Sequence, residues 1–321
     1  ALRHTHPIYC PVDTADEANE NFDLITYEKG ASVVRMLERY LGATKFRRGV
    51  RSYIRRHRES NTVAADLWRA LSQASGVDVE SIARSWIAQD GHPAIAVRVV
   101  ERDDGFHLQL RQDRFYQRPP KRPAATKWAV PWVGRVGRGR SGGGQLVRHL
   151  LTKKRDEIAL GPRAPRFVYG NADEGGFFRP AHAPNELRAL GQSLPSLAAV
   201  ERMGLLDHQW ALVCAGRASV GEFLDLGGEF ANETDPDVLS ALRQPLAFVA
   251  DTLIPDACPA AEERYRAWLV RRFGPAFAAL GWNPDRSEPD PVRVRRAVLL
   301  GIVGGAAASE AVQREAAERC E

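Results

Sequence analysis

The sequence predicts a multidomain protein of mixed α and β structure. A helical N-terminal segment is followed by a small antiparallel β-sandwich and then by a helical, solenoid-like C-terminal region. Three observations carry this reading. The apolar period is helical up to about residue 92, falls to two between about residues 93 and 180, and is helical again to the end. Pro and Gly punctuate the chain at the two changes of period. A length of 321 residues also exceeds what one ordinary domain of roughly 100–200 residues needs.

Val33, Met36, Leu37, Tyr40 and Leu41 recur at helical spacing, and Gly42 ends the run. Thr44 is placed to cap a second helix with Phe46, Val50, Tyr53 and Ile54 on its apolar face. Asn61 or Thr62 can start a third, with Leu67, Trp68 and Leu71 inside and Gly76 as its C-cap. Val79, Ile82, Ala83, Trp86 and Ile87 form a fourth, stopped by Asp90-Gly91-His92-Pro93. Ile95, Val97 and Val99 then alternate, as do Phe106, Leu108 and Leu110, with a hairpin turn expected at Asp104-Gly105. A basic, Pro-rich loop (117–127) leads into a strand with Trp128, Val130 and Trp132. Short strands are expected around 146–151, 158–160 and 167–169, after a Gly-rich loop at 137–144. From about Ala183 Leu and Ala recur at helical spacing, with breaks expected at Pro195, Gly204, Asp235-Pro236, Pro255, Pro259, Gly274-Pro275 and 283–291. Many short helices in pairs suggest an α-solenoid, although no strict repeat is present.

Apolar residues make up 44% and charged residues 26% of the chain, which suits a domain with a substantial core. No apolar run reaches the ~18 residues that a membrane helix requires, so no membrane segment is expected. Cys10, Cys214, Cys258 and Cys320 lie far apart with no C-x-x-C pair, which gives neither a disulfide framework nor a zinc knuckle. The net charge is +5, and basic residues are densest at Lys45, Arg47, Arg48, Arg51, Arg55, Arg56 and Arg58. No aromatic stacking platform accompanies them, so they read as a solvated helix face and no nucleic-acid partner is expected. H-E-x-x-H, P-loop, G-x-S-x-G and dinucleotide motifs are all missing from the sequence. His4 and His6 alternate within a loop, a weak basis for a metal site. The glycines of 137–144 match a phosphate loop in composition only, and read as a hairpin.

The informative segment is Phe22-Asp23-Leu24-Ile25-Thr26-Tyr27-Glu28-Lys29-Gly30-Ala31, continuing to Met36-Leu37. It resembles the M1 (gluzincin) zinc aminopeptidases, in which a helix opens as F-D-x-I-x-Y-x-K-G-A. His6-Pro7-Ile8 resembles the lead-in to that helix. The resemblance continues in order through Asp66-Leu67-Trp68; Trp86, Gln89, Gly91 and Pro93; Leu110-Arg111-Gln112-Asp113-Arg114-Phe115; Trp128-Ala129-Val130-Pro131; and Asn171 to Arg179. In the last of these Phe177 and Phe178 stand where the family has Tyr. Glu201-Arg202, Leu205-Leu206-Asp207 and Ala215-Gly216 resemble the start of the family's helical C-terminal domain. Each motif is weak alone, and the ordered set is specific.

This resemblance implies three regions. Residues 1–92 would be the helical end of a thermolysin-like catalytic domain, 93–180 the β-sandwich, and 181–321 an ERAP-like helical domain, expected to be incomplete. It implies that Tyr27 is the catalytic tyrosine, hydrogen-bonding the oxyanion of a tetrahedral intermediate. A phenol stays protonated at neutral pH and can donate to developing negative charge. Zn2+ and the H-E-x-x-H glutamate would polarise the carbonyl and activate water in the intact protein. Neither those ligands nor the G-x-M-E-N loop occurs in this sequence, so the chain alone is expected to hold no zinc and to be inactive. Peptides are the expected partners of the intact enzyme and the cytoplasm its expected compartment, with the native N-terminus expected upstream; the sequence leaves the oligomeric state open. The alternative is a scaffold of the same architecture that has lost its zinc site, against which the complete tyrosine motif argues. On residue spacing alone, Glu28 and Lys29 read as solvated charges, Gly30 as a point of close helix approach, and Trp68 and Trp86 as core.

Overall fold

The computed structural model describes residues 5–20, 22–123, 125–139, 142–255 and 259–320. His4 and Cys258 lie outside these residues, as do positions 140 and 141 of the Gly-rich loop. The chain divides into two compact units, Ala1–Ser196 and Leu197–Glu321.

The first unit opens with α1 (Ala15–Glu20) and a wide π-helical turn, Ile25–Lys29, which runs directly into α2 (Gly30–Leu41). Next come α3 (Ala43–Arg56), α4 (Ala64–Ser75) and α5 (Val79–Ile87). The caps differ in detail from those expected. Gly42, at φ +86°, serves as both the C-cap of α2 and the N-cap of α3, so Thr44 lies within the first turn. Val63 is the N-cap of α4, and its amide donates to Asp66 Oδ2 at 3.0 Å. Gly76 does close α4 in the left-handed conformation, the cap that glycine adopts without a Cβ penalty.

Among the described residues seven strands follow: β1 (Pro93–Arg102), β2 (Gly105–Arg114), β3 (Val130–Gly137), β4 (Gln145–Leu151), β5 (Arg155–Gly161), β6 (Phe167–Tyr169) and β7 (Arg179–His182). They form a four-stranded sheet in the order β5-β2-β1-β7 and a three-stranded sheet in the order β4-β3-β6. Arg102 pairs with Gly105, so the β1–β2 turn is Asp103-Asp104, one residue earlier than the Asp-Gly signal placed it. The expected sandwich was antiparallel throughout, but β7 lies parallel to β1. The chain leaves β6 in one sheet and crosses to the edge of the other. Pro180 is tolerated there because an edge strand need not donate on both sides.

One apolar core joins these layers. Val33, Met36 and Leu37 of α2, Leu71 of α4, and Ile82 and Trp86 of α5 cluster with Ile95, Val97, Leu108 and Leu110 of one sheet and Val130 and Trp132 of the other. Trp68 and Trp86 are buried, as their helical faces require. Gln112, 1% exposed, ties the two sheets together. Its Nε2 donates to Trp128 O and Lys153 O, both at 2.9 Å, and its Oε1 accepts from Trp128 N at 2.9 Å. Trp86 Nε1 donates to Ala129 O at 2.9 Å and fixes α5 on the entry to β3. A further helix, α6 (Pro184–Gly191), packs on β6 and β7 and belongs to this unit.

The second unit contains α7 (Ala199–Cys214), α8 (Val220–Glu229), α9 (Pro236–Phe248), α10 (Pro259–Leu280), α11 (Asp290–Leu300) and α12 (Glu310–Cys320). Alternate helices stack, α7 on α9 and α9 on α11. Gly204 and Gly274-Pro275, expected as breaks, lie inside α7 and α10. Gly204 is buried within α7. Pro275 forfeits one backbone bond within a 22-residue helix whose face is anchored by Tyr265, Leu269, Phe273 and Phe277. Tertiary burial outweighs local helix-breaking tendency at both positions. Among the described residues no helix is long and apolar enough to cross a membrane.

Candidate functional site

The segment 22–30 is held from both ends. Asp23 Oδ1 accepts from Thr26 N at 2.8 Å, fixing the start of the wide turn, and Asp23 Oδ2 bonds His6 Nε2 at 2.6 Å. The Thr26 amide and the His6 imidazole hold the Asp23 carboxyl down at about 2, and the same Asp23 bond raises His6 above its ordinary value. At the other end Lys29 is 4% exposed and its Nζ donates to Gln89 O at 2.6 Å. Lys29 was read as a solvated charge, and the structure corrects this. The wide turn rotates position 29 inward toward the end of α5, and desolvation lowers the ammonium to about 8, with Asp90 opposing that shift. Glu28 is exposed, as expected. Gly30 makes no close approach, since a Cβ built there would meet nothing within 4 Å.

Tyr27 sits in the middle of the turn and is 59% exposed. Its ring tilts against Phe22 at a centroid distance of 5.9 Å, and its hydroxyl makes no hydrogen bond among the described residues. The turn therefore presents a phenol donor that is open to an incoming acceptor. π-Turns inside helices recur at functional positions, where they aim a side chain that a regular helix would turn elsewhere. Tyr9 (68%), Phe22 (69%) and Leu24 (77%) are further large exposed apolar residues of the same unit.

The other motif residues serve the scaffold. Asp90 and Arg114 form a two-pronged ion pair, with Nη1 at 2.8 Å. Gly91 lies beside it at φ +71°, where a Cβ would come within 3.0 Å of Arg114 Nη2; both facts favour glycine. Asn171 Oδ1 accepts from Gly176 N at 2.8 Å and closes the crossover to β7. His6 was singled out with His4 as a weak metal pair, but its partner in the structure is Asp23, while His4 lies outside the described residues. Among the described residues no group of three or more His, Cys, Asp or Glu is placed to hold a metal ion.

Comparison with known proteins accounts for this combination of elements. Residues 1–86 match the peptidase family M1 domain, and residues 167–321 match the ERAP1-like C-terminal domain. The chain belongs to the M1 peptidase family. It is 32% identical over 306 residues to the rice (Oryza sativa subsp. japonica) aminopeptidase M1-C, covering 92% of this chain and 34% of that protein. It is similarly 32% identical over 310 residues to the puromycin-sensitive aminopeptidase of Caenorhabditis elegans, covering 93% and 32%. With the Tricorn protease-interacting factor F2 of Thermoplasma volcanium it shares 31% identity over 246 residues, covering 77% and 29%. The chain spans about a third of the length of these relatives. Tyr27 falls within the part that matches the M1 domain.

Proposed function

We propose that this chain is part of a zinc metallo-aminopeptidase that hydrolyses N-terminal residues from peptides, and that Tyr27 is its oxyanion donor. The observation that supports this is the wide turn carrying an exposed phenol whose hydroxyl has no partner among the described residues. A preorganised donor of this kind is worth about 2.7–4 kcal/mol in the transition state, or about 10²–10³ in kcat. On this reading residues 1–92 close a thermolysin-like catalytic domain, 93–180 form the sandwich and 181–321 begin a solenoid-like helical domain. The zinc ligands come from outside this sequence, and the chain by itself neither holds zinc nor turns over substrate.

Tyr27→Phe, made in the full-length product of the source gene, tests this. With an aminoacyl fluorogenic substrate kcat should fall about 10²–10³-fold with little change in KM, as for an interaction made only in the transition state. Thermal stability should hold, because the hydroxyl bonds nothing in the fold. Unchanged kcat would remove the assignment. A full-length protein that binds no zinc and hydrolyses no peptide would instead make it a scaffold, with Tyr27 a relic.

A further inference from the structure

One buried cation of the first unit lacks a counter-ion. An ammonium carries three donors, and Lys29 uses one, on Gln89 O. The negative charge that acts on it is Asp90, whose carboxylate is already engaged by Arg114. Lys29 makes no ion pair among the described residues. A buried, unpaired ammonium is costly, and a second anion beside it would relieve that cost.

Lys29 does not face packed atoms on all sides. It lines a cavity of about 570 Å³, within the range of about 300–1,000 Å³ typical of small-ligand sites. Arg118 and Arg179 also line the cavity, together with Glu28 and with Arg114, whose charge Asp90 already meets. The Nε of Arg114 is buried there without a hydrogen-bond partner. The apolar part of the wall includes two aromatic rings. The Phe115 ring stacks on His92 at 5.2 Å, and Phe177 meets His92 edge-on at 5.4 Å. Leu24, Ile25, Glu28 and Lys29 border this space and Tyr27 does not, so one face of the turn carries the phenol and another the cavity.

We infer that this cavity binds a carboxylate carried on an apolar body, with the carboxylate accepting from Lys29 and the body on the side of the cavity that Phe115 and Phe177 line. The carboxylate can be that of a free aromatic acid or that of an acidic side chain on a polypeptide that reaches the cavity. The chemistry is the same in both cases.

The test titrates the 321-residue chain with 3-phenylpropionate and with 3-phenylpropionamide, followed by calorimetry and ligand-observed NMR. Acetyl-Phe-Glu-amide and acetyl-Phe-Gln-amide form the second pair. In at least one pair the acid should bind about tenfold or more tighter than its neutral partner, as a charged hydrogen bond of ~1.5–3 kcal/mol requires. Discrimination in the first pair assigns a free acid, and discrimination only in the second a polypeptide side chain. Lys29→Met should abolish the preference while retaining weak binding of the apolar body. Absence of binding by all four probes, equal binding within both pairs, or a preference that survives in Lys29→Met overturns the inference. Arg118→Gln, at an exposed position, gives a second reading if Lys29→Met does not fold: it should reduce the acid preference, and an undiminished preference overturns the role given to the cationic rim.

Discussion

Replacing Gln112 by Leu separates the polar tie between the two sheets from the space it fills. The side chain is 1% exposed, so Leu occupies nearly the same volume, and what changes is hydrogen bonding. Three backbone groups lose their partner: the Trp128 amide, Trp128 O and Lys153 O, each 2.9 Å from the Gln112 amide. Leaving a buried polar group unsatisfied costs ~1–3 kcal/mol, which gives about 3–9 kcal/mol for three. Burying an apolar Leu returns ~1.5–3 kcal/mol. Taking the middle of each range, the net destabilisation is about 4 kcal/mol. Two compact units need not unfold together, so a single global transition is the wrong readout. Hydrogen exchange followed by mass spectrometry across a urea series reads peptides of residues 5–196 apart from those of 197–320. The first set should lose protection at clearly lower urea and the second should not move. A shift below about 1 kcal/mol in the first set would refute the reasoning, because it would mean that those backbone groups find water or other partners without cost.

Lys29 makes the first unit sensitive to alkali. Its pKa is about 8 when folded and 10.5 when free, so between those values the unfolded chain binds more protons and stability rises with pH. The gain is about 3 kcal/mol, complete near pH 10.5 and absent below pH 8. Lys29→Met should lack it, and urea midpoints of the two proteins across this window decide the matter; parallel pH profiles would count against a buried ammonium. The His6–Asp23 bond has the complementary window. Asp23 contributes above 3.8 and loses its contribution as pH falls toward 2, while His6 contributes below 6.5 and loses its contribution as pH rises through its elevated pKa. Asp23→Asn should return the His6 titration, followed by NMR of the imidazole, toward the ordinary value; an unmoved midpoint would show that the bond does not form in solution.

Much of the fold was legible because period and punctuation agreed. The four helices after the opening turn and the hairpin of β1 and β2 follow from burial on one face, and the short strands near 146–151, 158–160 and 167–169 from apolar runs between turns. What could not be read was decided by contacts between distant residues. β7 is four residues with a proline, too short to alternate, and it becomes a strand only because β1 offers a parallel edge. Gly204 and Pro275 carry local signals for a break that burial overrides. At the candidate site the sequence motif drew attention to Tyr27, and the reading of Lys29 and Gly30 was wrong. Nothing in a run of Tyr-Glu-Lys-Gly distinguishes a solvated lysine from a buried one. That distinction is made by the extra residue in the turn and by the carbonyl of Gln89, sixty positions away. The one legible clue was the reappearance of Gln89 and Gly91 among the resembling motifs.

These placements divide the motif residues by what they do. Gln112, Arg114, Gly91, Trp86 and Asn171 close hydrogen bonds or permit close approaches that the sandwich and its junction with α5 need. Their recurrence in the family's pattern therefore requires only that the scaffold be kept. Tyr27 is different: its ring is exposed and its hydroxyl bonds nothing among the described residues, so the fold gives no reason for a tyrosine there. Phe would pack against Phe22 equally well. On the proposed reading, the demand for a hydroxyl comes from a transition-state oxyanion that approaches the turn from outside. Lys29 follows the same logic with the opposite sign, since its charge is expensive where it lies and is matched only if an anion enters the cavity beside it. The two residues lie two positions apart on one wide turn, and each is left incomplete by the fold that holds it.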